Sequence, residues 1–147
     1  MTTNIKLMVV FSKMSHAFTE SLGKNLEELG MPFSLYPILA HLNDVGRAKT
    51  QELGVAAAIT SGTITHSVSK LVKLGYVVKI QDELDKRIFW VQITDEGRRS
   101  FLDVHLKHLV YLDQLLEDFD EEEKLSLIEL IKTFGKGIEK KIIKEGG

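Results

Sequence analysis

A mainly α-helical fold of six helices with one small β-hairpin is predicted by three features of the 147-residue chain. Long stretches near both ends repeat apolar residues at steps of three and four, the spacing of an amphipathic helix. Between them lie two short helical segments, a few residues apart and each begun by a hydroxyl residue. Two β-rich runs follow directly, at 77–81 and 87–93, joined by a polar stretch at 82–86.

The first helix is expected at about 4–29, where Leu7, Phe11, Met14, Phe18, Leu22 and Leu26 form one stripe. Gly30 ends it, with Pro32 just beyond. Ser34 reads as the N-cap of a second helix, with Pro37 in its first turn, where a missing N–H does little harm. That helix carries Ile38, Leu39 and Leu42 and ends near Gly46. Thr50 reads as the cap of a short third helix with Leu53 and Val55 facing a core. Thr60 reads as the cap of a fourth, which runs to Leu74 and closes on Gly75 as the residue past the helix end, with Tyr76 making the apolar contact beyond it. Thr94, followed by Asp95 and Glu96 at the positive end of a helix dipole, opens a fifth helix through Phe119. Asp120 with Glu123 makes a capping box for a sixth helix through about Ile143, striped by Leu125, Ile128, Ile131, Phe134, Ile138 and Ile142.

Composition bounds what such a chain does. With 44% hydrophobic residues it can bury a core, and with two prolines and no low-complexity tract it is expected to form a single domain over 1–147. The longest apolar run near the start, Leu7 to Phe11, is too short for a secretion signal or a membrane span, so a cytoplasmic protein is expected. The absence of cysteine excludes disulfides, thiolate sensors, iron–sulfur clusters and thiolate zinc sites. A net charge of −2 argues against coating nucleic acid by bulk charge, but the charge is unevenly spread. Residues 61–80 hold three lysines and no acid, while 113–145 hold ten acids against six bases.

The fourth helix carries Thr60, Ser61, Thr63, Thr65 and Ser67, hydroxyl residues that are mediocre helix formers. On a helical wheel Ile64, Val68, Leu71 and Val72 define the buried face. The outward face then holds Gly62, His66, Ser69, Lys70 and Lys73, flanked by Thr63 and Thr65. It is free of acids and bulky apolar groups and rich in short donors, as a helix that enters a major groove requires. A helix-turn-helix followed by a two-stranded ribbon is a winged helix, and the ribbon tip carries Asp85, Lys86 and Arg87 where a wing meets phosphate or minor groove. The candidate DNA-contact set is therefore Ser61, Gly62, Thr63, Thr65, His66, Ser69, Lys70, Lys73, Asp85, Lys86 and Arg87.

Two stretches carry a resemblance. The segment ITSGTITHSVSKLVKLGYV is similar to the recognition helix of the MarR family of bacterial transcription regulators. More specific is DKRIFWVQITDEG, which resembles that family's wing signature through Asp85, Arg87, Ile93, Thr94 and Gly97. The chain departs from many relatives in having Gly62 and His66 where they place Lys or Arg, which leaves the operator sequence open. The resemblance implies a winged core at about 34–93, with dimerisation helices at about 4–29 and 94–143. It also implies a homodimer on pseudo-palindromic operator DNA, repressing nearby genes until a small ligand lowers its affinity. The apolar stripes of the first, fifth and sixth helices independently favour a second copy, because one small winged core cannot cover them.

Relatives of that family bind effectors between the dimer helices and the winged region, and Met14, His16, Phe33, Tyr36 and His41 fall at matching places, although ordinary core or interface packing is the preferred reading of each. His105 and His108 lie three apart beside Asp103, but no ligand motif surrounds them and no metal is expected. No phosphate loop, nucleophile elbow or dinucleotide fingerprint occurs, so neither an enzyme nor a cofactor is expected. The alternative to a DNA-binding regulator is a winged helix that uses its groove for protein partners, which an acidic outer face would favour.

Overall fold

The computed structural model describes residues 2–57 and 61–146. The element order is α1 (Thr3–Glu28), α2 (Tyr36–Val45), β1 (Arg47–Lys49), α3 (Thr50–Ala56), α4 (Ser61–Lys73), β2 (Val77–Gln81), β3 (Phe89–Ile93), α5 (Asp95–Leu115) and α6 (Glu121–Gly146). Contacts divide the chain into two units, Met1–Val110 and Tyr111–Gly147.

The first unit has one core. Leu26, Leu35, Ile38, Leu39, Leu42, Ala48, Leu53, Ile64, Val68, Leu71, Val77, Val91 and Phe101 are all buried in it, so α1 to α5 and every strand contribute. The sheet is antiparallel in the order β1-β3-β2. Its inner face is Ala48, Val91 and Val77, and its outer face is Arg47, Lys49, Trp90, Gln92, Val78 and Ile80, as the pairings Lys49↔Trp90↔Ile80 and Arg47↔Gln92↔Val78 require.

Two turns fix the wing to the helices. Gly75 has φ +77°, and its N–H reaches the Val72 carbonyl while Tyr76 N–H reaches Leu71, the paired bonds that close α4 as expected. Thr94 caps α5 by accepting the Gly97 N–H at 3.0 Å and donates its own hydroxyl to the Gly75 carbonyl at 2.7 Å. Gly97 is buried with its α-carbon against Tyr76, and a Cβ there would drive into the Tyr76 carbonyl. Arg98 reaches back to the carbonyl and side-chain oxygens of Asn43 at the end of α2.

Several expectations are corrected. The cap of α2 is Leu35, not Ser34, because a turn at Pro32 starts the helix one residue later, and no side chain caps it. Thr50 is the first residue of α3, whose cap is Lys49. Val55 is 84% exposed rather than in the core, since a helix of seven residues buries only Leu53 and Gly54. Val72 is 40% exposed, and Ser67 takes the buried position beside Val68. The fifth helix stops at Leu115, and the sheet has a third strand, β1. The Thr60 cap lies outside the described residues.

In the second unit α6 opens with the expected capping box: Asp120 Oδ1 accepts the Glu123 N–H at 2.8 Å, and Glu123 Oε1 accepts the Asp120 N–H at 3.2 Å. Its stripe Leu125, Ile128, Ile131, Phe134, Ile138 and Ile142 is exposed throughout.

Candidate nucleic-acid interface

α3 and α4 pack as a helix-turn-helix. Burial of Ile64, Ser67, Val68 and Leu71 turns the rest of α4 outward, so Gly62, Thr63, Thr65, His66, Ser69, Lys70 and Lys73 all face solvent. Ser61 begins the helix. Ser69 is less available than its exposure suggests, because its hydroxyl donates to the Thr65 carbonyl at 3.0 Å, one turn back. No acid interrupts the face, and Lys70 and Lys73 stand in its last turn, where a cation also meets the negative end of the helix dipole.

The wing tip is held by hydrogen bonds. Asp85 grips Arg87 in a fork, with Nε to Oδ1 at 3.0 Å and the terminal nitrogen to Oδ2 at 2.9 Å, and it also accepts the Arg87 backbone N–H at 3.0 Å. The fork holds the Asp85 carboxyl below the usual carboxylate range and raises the Arg87 guanidinium further. Because Arg87 is 90% exposed, the ion pair adds little stability; what it sets is the direction of the guanidinium. Lys86 is exposed, and its carbonyl accepts a bond from Gln81 Nε2 at 2.8 Å.

Between α4 and the wing lies an open groove of about 530 Å³. Thr65 and Val68 come from α4, Lys79, Asp85, Arg87, Ile88 and Phe89 from the wing, and Lys49, Thr50 and Gln51 from β1 and the start of α3. Three cations against one paired carboxylate leave it net positive, the charge that contact with a sugar–phosphate strand requires. Of the residues expected at the interface, the groove brings together Thr65, Asp85 and Arg87. Lys49, Thr50, Gln51 and Lys79 were not anticipated. Lys79 had a signal, as the last lysine of the acid-free stretch, whereas Lys49 had none, because its strand was not recognised.

The effector candidates are dispersed by their contacts. Met14 and Phe33 are exposed, His16 pairs with Glu20 one turn along α1, and His41 bonds to Glu52 at 2.9 Å. Tyr36 is half-buried and joins α2 to α5, its hydroxyl 2.6 Å from His105 Nδ1 and its ring against Phe101 and His108. Burial raises the tyrosine's pKa. His108 is buried with Nδ1 2.7 Å from Asn25 Oδ1, and burial, with His105 nearby, pushes its pKa down. Both histidines thus serve as bridges between helices. Among the described residues no group of three His, Cys, Asp or Glu side chains converges as a metal site.

A family model described as the winged helix DNA-binding domain matches residues 36–112. The HTH-type transcriptional regulator MhqR of Bacillus subtilis is 25% identical over 132 residues, which cover 90% of this chain and 91% of that protein. Sco3205, a MarR family transcriptional regulator of Streptomyces coelicolor solved in complex with DNA, is 27% identical with a TM-score of 0.82, the match covering 93% of this chain and 89% of that one. The organohalide-sensing regulator RdhR, solved in a 2,4-dichlorophenol-bound form, shares the fold at 17% identity with a TM-score of 0.82, covering 93% of this chain and 82% of its own. Among the described residues no helix is long and apolar enough to cross a membrane.

Proposed function

The chain belongs to the winged-helix DNA-binding family and, within it, to the MarR-like transcriptional regulators, and from that premise we propose that it acts as a homodimeric, ligand-responsive repressor on pseudo-palindromic operator DNA. One observation carries the reading: an acid-free, solvent-facing side of α4 lines a basic groove together with an arginine already clamped by Asp85. Thr63, Thr65 and His66 meet base edges in the major groove. Lys49, Lys79 and Arg87 take phosphates or, at the wing, the adjacent minor groove. Phosphate contacts position the protein and base contacts specify the site.

Homodimerisation is supported by the exposed apolar faces of α1 and α6, and it brings two recognition helices to half-sites roughly 34–36 Å apart. Of the effector candidates, Tyr36 has the strongest support, because a phenolic or carboxylic ligand exchanging with its bond to His105 changes how α2 meets α5. Neighbours in the fold support such a ligand; RdhR is one.

Titration of labelled duplexes at several salt concentrations tests the assignment. Arg87→Ala weakens binding to every duplex and lowers the salt slope by about one per subunit if it holds a phosphate. His66→Ala leaves the slope in place and changes the preferred base at one position per half-site by about 1–3 kcal/mol. Absence of binding to any duplex at low salt transfers the protein to the alternative class, a winged helix that docks proteins.

A further inference from the structure

Trp90 is the chain's one tryptophan and lies in the central strand β3, on the outer face of the sheet. Its two chemically distinct parts make different contacts, the N–H edge with a carboxylate and the ring face with two cations. The indole N–H donates to Asp82 Oδ1 at 2.9 Å. The other oxygen of Asp82 accepts the backbone N–H groups of Leu84 and Asp85, at 3.1 and 2.9 Å, and so shapes the turn from which Asp85 grips Arg87. The ring face is covered by cations from β1, with the Arg47 guanidinium 4.5 Å and the Lys49 ammonium 5.3 Å from its centroid. Lys49 lines the same groove as Asp85 and Arg87.

Apolar packing does not order the tip. Leu84, the one large apolar residue between Asp82 and Arg87, is 99% exposed. What remains is polar: the Asp82 bonds, Gln81 to the Lys86 carbonyl, and the backbone pair Asp82–Ile88 with Ile88–Asp85. Within that set Trp90 alone ties a tip side chain to the middle of the sheet, whose opposite face is core. An arginine that must be ordered during binding costs affinity that a pre-ordered one does not.

We infer that Trp90 is a positioning residue for the DNA interface, its indole edge setting the wing tip that carries Arg87 and its ring face setting Lys49 in the same groove. The inference rests on the DNA-binding reading above. It assigns Trp90 and Asp82 roles that act through other residues, since neither needs to touch DNA.

A double-mutant cycle tests it, read by fluorescence anisotropy with a labelled random-sequence duplex of roughly 30 base pairs, long enough for two half-sites. With Arg87 intact, Trp90→Phe keeps a ring for the cations but loses the N–H, and it weakens binding about 3- to 10-fold, the scale of ordering one long side chain. In the Arg87→Ala background the same substitution changes affinity by less than about twofold. The salt slope of Trp90→Phe stays at the wild-type value, because no charge is lost. Trp90→Leu, which also frees Lys49, weakens binding further in both backgrounds. Asp82→Ala removes a carboxylate and the turn bonds as well, so its loss is larger, but it depends on Arg87 in the same way and supplies the cycle if Trp90→Phe fails to fold. Equal losses in both Arg87 backgrounds, or no loss in either, overturn the inference and leave the DNA reading standing. No binding by the wild-type protein at low salt overturns both.

Discussion

In α4 the apolar residues Ile64, Val68 and Leu71 are each at most 2% exposed, whereas in α6 all six residues of an equally regular stripe, from Leu125 to Ile142, are open to solvent. The helix α1 resembles α6: Leu7, Phe11, Met14 and Phe18 are exposed and only Leu26 is buried. Both kinds of helix are amphipathic, so the difference lies in what covers the apolar side. The winged region completes its own core within one chain. The terminal helices α1 and α6 carry exposed apolar faces, and in the proposed dimer burial of each large side chain contributes about 1.5–3 kcal/mol. A second copy offers the same face by symmetry.

That contrast can be broken most severely in α6. Ile131→Glu combined with Phe134→Glu places carboxylates where apolar surface is to be buried, each costing on the order of 3 kcal/mol or more, and sedimentation shows monomers or unfolded chain. Leu71→Ala is expected to cost about 2–5 kcal/mol in denaturant unfolding, as a cavity in a core complete within one chain. The loss is the same at every protein concentration, unlike the effect of truncating the α6 stripe. Gly97→Ala is expected to cost about 1–3 kcal/mol, because its new methyl group must displace the Tyr76 carbonyl that also accepts the Thr94 N–H.

A smaller effect comes from His108, which belongs to the winged unit although it lies on α5. Its folded-state pKa is depressed by burial and by His105, so the unfolded chain takes up a proton first as pH falls below about 6.5. Stability therefore drops as pH descends from about 6.5 toward the lowered folded value and gains nothing from this group above it. Thermal unfolding between about pH 7 and 5 shows this slope, and His108→Gln flattens it.

Much of this was legible in the sequence where local chemistry decides. The Gly75 turn, the Thr94 cap and the Asp120–Glu123 box are set by residues within one turn of each other, and the structure has them as read. The strand β1 was not legible, because Arg47, Ala48 and Lys49 have no β pattern and become a strand only through pairing with Gln92, Val91 and Trp90. Val55 and Val72 were misjudged for a related reason: periodicity identifies a face, but a seven-residue helix and the edge of α4 offer too little neighbouring surface to cover it. At the interface, the outward residues of α4 and the placing of Asp85 and Arg87 at the ribbon tip followed from spacing. Lys49 and Trp90 did not, since 41 positions separate them and only the sheet brings them together.

Sedimentation velocity of the wild-type protein at micromolar concentration, alone and with a duplex of roughly 30 base pairs at low salt, tests the central claim most directly. The account predicts a dimer by itself and, with DNA, a complex of two chains per duplex that dissociates as salt is raised. A monomer at micromolar concentration, or a dimer that never co-sediments with the duplex, would contradict it.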